Sequence, residues 1–108
     1  MNPELHDLAE KLGLALKDNG LSIVVAESCT GGLLAASITA IPGSSIYFDR
    51  GYVTYSNSSK EEDLGVKAET LEKFGAVSEE VAFEMASGAL PKSNFTGCAC
   101  PMKHVTDR

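Results

Sequence analysis

A serine placed where a buried strand runs into a glycine-rich turn can be built into an acyl-transfer site, and Val25-Ala26-Glu27-Ser28-Cys29-Thr30-Gly31-Gly32 has that form. Leu21 to Ala26 is short, β-branched and nearly all apolar, as expected of a strand covered on both faces in an α/β sheet. Such sheets expose reactive groups where the strand turns into a helix, so Ser28 is well placed as a nucleophile. Unpaired N–H groups at the helix start, beside glycines that permit close approach, would bind an anion or hold an oxyanion. The same residues also have a plainer reading. Ser28 or Thr30 is then only the helix cap, and Gly31 and Gly32 only shape a tight connection. Glu27 either orients Ser28, binds substrate or pairs with a neighbouring N–H group. Cys29 has no histidine near it in sequence and reads as a small core residue.

A serine nucleophile needs a base. His6 falls among polar positions of the first helix and His104 in a tail without pattern, which leaves lysine or tyrosine. Tyr55 closes a second strand and Lys60 opens the helix after it. Both reach the edge of the sheet where Ser28 stands if the two strands are parallel neighbours. A lysine acts as base only when desolvation or a neighbouring cation lowers its pKa. Otherwise Lys60 is an exposed helix lysine, paired with Glu61 or Glu62 or free in water. Cys98, Cys100 and His104 lack the paired spacing of a zinc site, and no metal is expected.

The elements that must position these groups follow from periodicity and punctuation. Asn2-Pro3 caps a helix that sets Leu5, Leu8, Leu12, Ala15 and Leu16 on one face and stops at Asn19-Gly20. A second helix runs from about Thr30 to Ile41 and ends at Pro42-Gly43. Arg50 to Tyr55 is the second strand. Ser58 and Glu61 form a capping box for a helix that fades at Gly65, and further helical turns cover Ala68 to Phe74. Ser78 caps a last helix with Val81, Met85 and Ala89 on one face. The order gives an α/β fold. Two strands make a poor sheet, so either the tail from Pro91 to Arg108 hides another or the chain is a fragment of a larger domain.

Composition narrows the setting. With 108 residues, 44% of them hydrophobic, the chain holds one modest core and reads as one domain. A net charge of −6 without a basic run leaves no footprint for nucleic acid. Three unevenly spaced cysteines speak against a disulfide framework and for a reducing compartment. Its longest apolar stretches are too short or too broken to span a bilayer, so a cytoplasmic protein without a membrane partner is expected.

Taken together, these motifs resemble the CinA C-terminal domain family, which includes the PncC-type nicotinamide-nucleotide amidases. The likeness covers about Leu5 to Leu90. It rests on the Ser28 turn, Pro42-Gly43-Ser44-Ser45, Arg50 to Asn57, Lys60, Leu64-Gly65-Val66, Gly75-Ala76-Val77-Ser78 and Glu84-Met85-Ala86. The resemblance implies a three-layer α/β/α sandwich that converts nicotinamide mononucleotide to nicotinate mononucleotide and ammonia, without metal or cofactor. It implies Ser28 as nucleophile with Lys60 and Tyr55 as its base. Glu27, Cys29, Thr30, Gly31, Gly32, Gly43 and Ser44 would then hold substrate or oxyanion. Residues 1–90 would be the front part of the amidase domain. Residues 91–108 depart from the family, with Thr96-Gly97-Cys98-Ala99-Cys100-Pro101 standing where a T-G-I-A-G-P segment is expected, so the sheet would be incomplete at its C-terminal side. The alternative is a non-catalytic remnant or interaction module. A homo-oligomer, with strands or pocket walls lent by a neighbour, stays open.

Overall fold

A computed structural model describes residues 2–92 and, as backbone, strand 98–100. Helix α1 spans Pro3–Asp18, with the Asn2 side chain accepting from Glu4 N at 2.7 Å and proline at the start of the helix. Its buried face is not the leucine stripe expected. Ala9, Gly13 and Leu16 are buried and Leu8 is 59% exposed. The reason lies at Gly13, where a Cβ would collide with the Tyr47 ring. Small residues let the helix approach closely, and that approach decides which face turns inward.

Strand β1 is Ile23–Glu27, with all five residues buried. It lies at the centre of a three-stranded parallel sheet, flanked by β2 (Phe48–Val53) and β3 (Cys98–Cys100). The tail therefore does contain a strand, with Val24 opposite Ala99. Side chains alternate across a strand. Ile23 and Val25 pack with Leu16, Ile38 and Tyr47, whereas Val24 and Ala26 pack with Leu64, Val66, Val81 and Met85. Helices α1 and α2 (Leu33–Thr39) thus cover one face, and α3 (Asn57–Leu64), α4 (Ala68–Phe74) and α5 (Glu79–Ala89) the other. The result is the three-layer α/β/α sandwich expected from the sequence.

Element boundaries differ where local signals compete. Helix α2 starts at Leu33 because Gly31 and Gly32, at φ 62° and 111°, are still turning the chain. Ser56 rather than Ser58 caps α3, its Oγ accepting from Ser59 N at 3.1 Å. Helices α4 and α5 begin as expected, α5 with Ser78 as its cap. Gly88 on α5 lies so close to α3 that a Cβ would overlap the Leu64 carbonyl. Since that carbonyl is backbone, it has little room to move. Replacing Gly88 with alanine is expected to destabilise the fold by about 1–3 kcal/mol, or more, through overpacking. An unaltered urea midpoint for Gly88→Ala would contradict the close packing of α3 on α5.

Candidate active site

Ser28 follows directly on the last residue of β1. The sheet ladder continues one step past β2, because Thr54 N donates to Glu27 O at 3.0 Å, and this sets Thr54 beside Ser28. Alternation then groups Val24, Ala26 and Ser28 with Tyr52 and Thr54 on the face covered by α3 to α5. Lys60 lies one helical turn before Leu64 on α3, and both are buried, so Lys60 turns toward this same face. Ser28, Thr54 and Lys60 therefore share one side of one sheet end, although they are far apart in sequence.

Lys60 is only 1% exposed, and its Nζ donates to the Tyr55 carbonyl at 2.9 Å. Among the described residues no carboxylate pairs with it. Burial pushes its amine below the ordinary lysine value, outweighing an opposing electrostatic contribution from nearby Cys29. A lowered pKa is the condition a lysine must meet to serve as a base. Ser28 is 4% exposed, and its Oγ makes no hydrogen bond to a described residue.

Glu27, on the other face, is fully buried and has a different job. Its Oε1 accepts from Thr30 Oγ1 at 2.7 Å, Gly32 N at 3.1 Å and Leu34 N at 2.9 Å, while Oε2 accepts from Ala35 N at 2.8 Å. The carboxylate thus caps α2 and fixes the turn after Ser28. Of the three openings left for Glu27 by the sequence, pairing with neighbouring N–H groups is the one the geometry displays. The capping leaves few free donors in the turn. Gly31 N is bonded to Ser28 O at 3.0 Å and Gly32 N to Glu27, whereas Cys29 N and Thr30 N, in the turn that follows Ser28, have no acceptor among the described residues.

The other sequence candidates are dispersed. Tyr55 is 73% exposed and meets Lys60 through its main chain. Cys29 is exposed rather than part of the core, because the turn points it away from both hydrophobic clusters. Gly43 and Ser44 belong to the connection before β2, at the opposite end of the strands from Ser28, where Ser44 Oγ donates to Thr39 O at 3.4 Å. His104 and the side chains of Cys98 and Cys100 lie outside the described residues. Among the described residues no group of three or more His, Cys, Asp or Glu could hold a metal ion, and no helix is long and apolar enough to cross a membrane. Thr54 was not singled out by sequence reasoning. The available signal was its parity with Tyr52 on a strand paired with β1.

Comparison with known proteins adds an independent line. A family model described as the CinA C-terminal domain matches residues 5–105. The nicotinamide-nucleotide amidohydrolase PncC of Enterobacter agglomerans is 59% identical over 86 residues, which cover 80% of this chain and 52% of that protein. Its counterpart from Escherichia coli strain K12 is 56% identical over 81% of this chain and 53% of that protein. A solved structure, the competence/damage inducible protein CihA from Agrobacterium tumefaciens, superposes with a TM-score of 0.84 at 46% identity, covering 88% of this chain and 58% of that one. The chain spans about half the length of these curated relatives.

The capping role of Glu27 is directly testable. Glu27→Gln keeps the shape but turns an acceptor into a donor facing backbone N–H groups. It is expected to cost about 1–3 kcal/mol of stability, with Glu27→Ala at least as damaging. Urea unfolding measures this, and two variants as stable as the wild type would remove the cap from the account.

Proposed function

The chain belongs to the CinA C-terminal domain family, and on that premise we propose that it hydrolyses the carboxamide of nicotinamide mononucleotide, giving nicotinate mononucleotide and ammonia. The observation that carries this reading is the buried Lys60, without a carboxylate partner among the described residues, on the sheet face that also bears Ser28. The substrate is taken from relatives named as nicotinamide-nucleotide amidohydrolases.

In this mechanism the neutral Lys60 amine takes the proton from Ser28 Oγ as that oxygen attacks the carboxamide carbon. The Cys29 and Thr30 amides hold the developing oxyanion, and Glu27 keeps them in place by fixing the turn around Gly31 and Gly32. Lys60 then passes its proton to the leaving nitrogen, which departs as ammonia, and an ester remains on Ser28. Water attacks the ester, its proton moves to Lys60, and Ser28 Oγ is reprotonated as the carboxylate product leaves. Tyr55 holds Lys60 through its carbonyl, and its exposed side chain is free to meet the substrate. No cofactor is required. Residues 1–90 supply both reacting groups, and strand β3 from the tail flanks β1 in the sheet.

The test is to incubate the purified chain with nicotinamide mononucleotide and follow ammonia and nicotinate mononucleotide together. Wild type should turn over, and Ser28→Ala and Lys60→Met should each lower kcat/KM by about a thousandfold. The acidic limb of the pH profile should lie below the range of a free lysine, because burial disfavours the charged amine. Stability follows the same sign. Between the folded and unfolded values of Lys60 the unfolded chain binds more protons, so wild type should gain stability relative to Lys60→Met as pH rises through that window. Folded wild type without turnover would overturn the amidase reading.

A further inference from the structure

Thr54 carries a hydroxyl for which the fold has no use. The residue is 1% exposed, and Oγ1 is buried without a hydrogen-bond partner among the described residues. A buried hydroxyl left unpaired is costly, and a valine of the same shape would avoid that cost. The residue is also firmly placed, since its N–H extends the sheet ladder to Glu27 O at 3.0 Å and its side chain lies on the face shared by Ser28 and Lys60. Sealed from solvent, the hydroxyl is set to serve a neighbouring side chain rather than to touch a substrate.

On that face Lys60 is the side chain with a single acceptor among the described residues. A neutral amine has two N–H donors and one lone pair, and to act as base it must aim the lone pair at Ser28 Oγ. One donor goes to the Tyr55 carbonyl at 2.9 Å. The other needs a second acceptor on the same side, or the amine is free to rotate its lone pair away. Thr54 precedes Tyr55 in the chain and brings a hydroxyl with two unused lone pairs to that side.

We propose that Thr54 is a positioning residue for the base: its Oγ1 accepts the second N–H of Lys60 when the lysine turns its lone pair to Ser28. This deepens the amidase reading and rests on its assignment of Ser28 and Lys60.

Thr54→Val and Thr54→Ser in the full chain test it by two readouts, turnover of nicotinamide mononucleotide and the rate at which a fluorophosphonate labels Ser28. The second requires an activated serine but not the correct substrate. Thr54→Val should lower both rates by about tenfold or more while its melting temperature stays level or rises. Thr54→Ser, which keeps the hydroxyl, should stay within about threefold of wild type. In Thr54→Val the acidic limb of labelling should also move to lower pH, because an acceptor that favours the protonated amine has been lost. Wild type that labels at Ser28 but leaves the nucleotide untouched would remove the substrate assignment, and Thr54 would then be judged on labelling alone. Wild-type rate and pH limb in Thr54→Val, or an equal loss in Thr54→Ser, would overturn the proposal. So would a wild-type chain that neither labels nor turns over.

Discussion

Four hydrogen bonds converge on the carboxylate of Glu27, and the geometry of the candidate site depends on them. A buried carboxylate is unfavourable unless its oxygens find donors, and here the unpaired amides at the start of α2 supply three of the four. The same bonds satisfy the helix terminus that two left-handed glycines would otherwise leave ragged. Because Glu27 is the last residue of the central strand, the helix is tied to the sheet at one point. Ser28 follows at once, and the alternation that sends Glu27 toward α2 sends Ser28 toward α3.

Lys60 is the counterpart of Glu27 and is treated in the opposite way. Both are charged-type residues at most 1% exposed, yet Glu27 has every oxygen engaged while Lys60 has a single carbonyl. An arrangement that served stability alone would pair the lysine or leave it in water. Its burial against an apolar layer, with no carboxylate partner among the described residues, lowers its pKa, as the proposed role of a base requires. Gly88 lets α5 approach α3 closely at Leu64, one turn after Lys60 on the same helix.

How much of this was legible in the sequence depended on whether the signal was local. Asn2-Pro3, Ser78 and the run from Ile23 to Ala26 act within a few residues, and the elements they mark lie where expected. Ser58 with Glu61 matches a capping box in sequence, but the chain leaving β2 enters α3 two residues earlier, at Ser56, whose Oγ takes the Ser59 N–H. The inward face of α1 was set by Tyr47, more than thirty residues from the start of the helix in sequence, through contact with Gly13. Strand β3 is three residues long and reads Cys-Ala-Cys, too short for alternation to reveal. Ser28 was visible because a serine in a strand-to-helix turn is a local pattern. Thr54 was not, because its importance arises only when β2 pairs with β1 and places it next to Ser28.

The account stands on Ser28 forming a covalent bond to the acyl group, and that bond can be sought directly. Rapid acid quenching of the chain with nicotinamide mononucleotide, followed by peptide mass spectrometry, should find the nicotinate mononucleotide acyl group as an ester on Ser28. The adduct should persist when Cys29 is replaced by alanine and vanish in Ser28→Ala. An adduct on Cys29, or turnover that survives the loss of Ser28, would contradict the account.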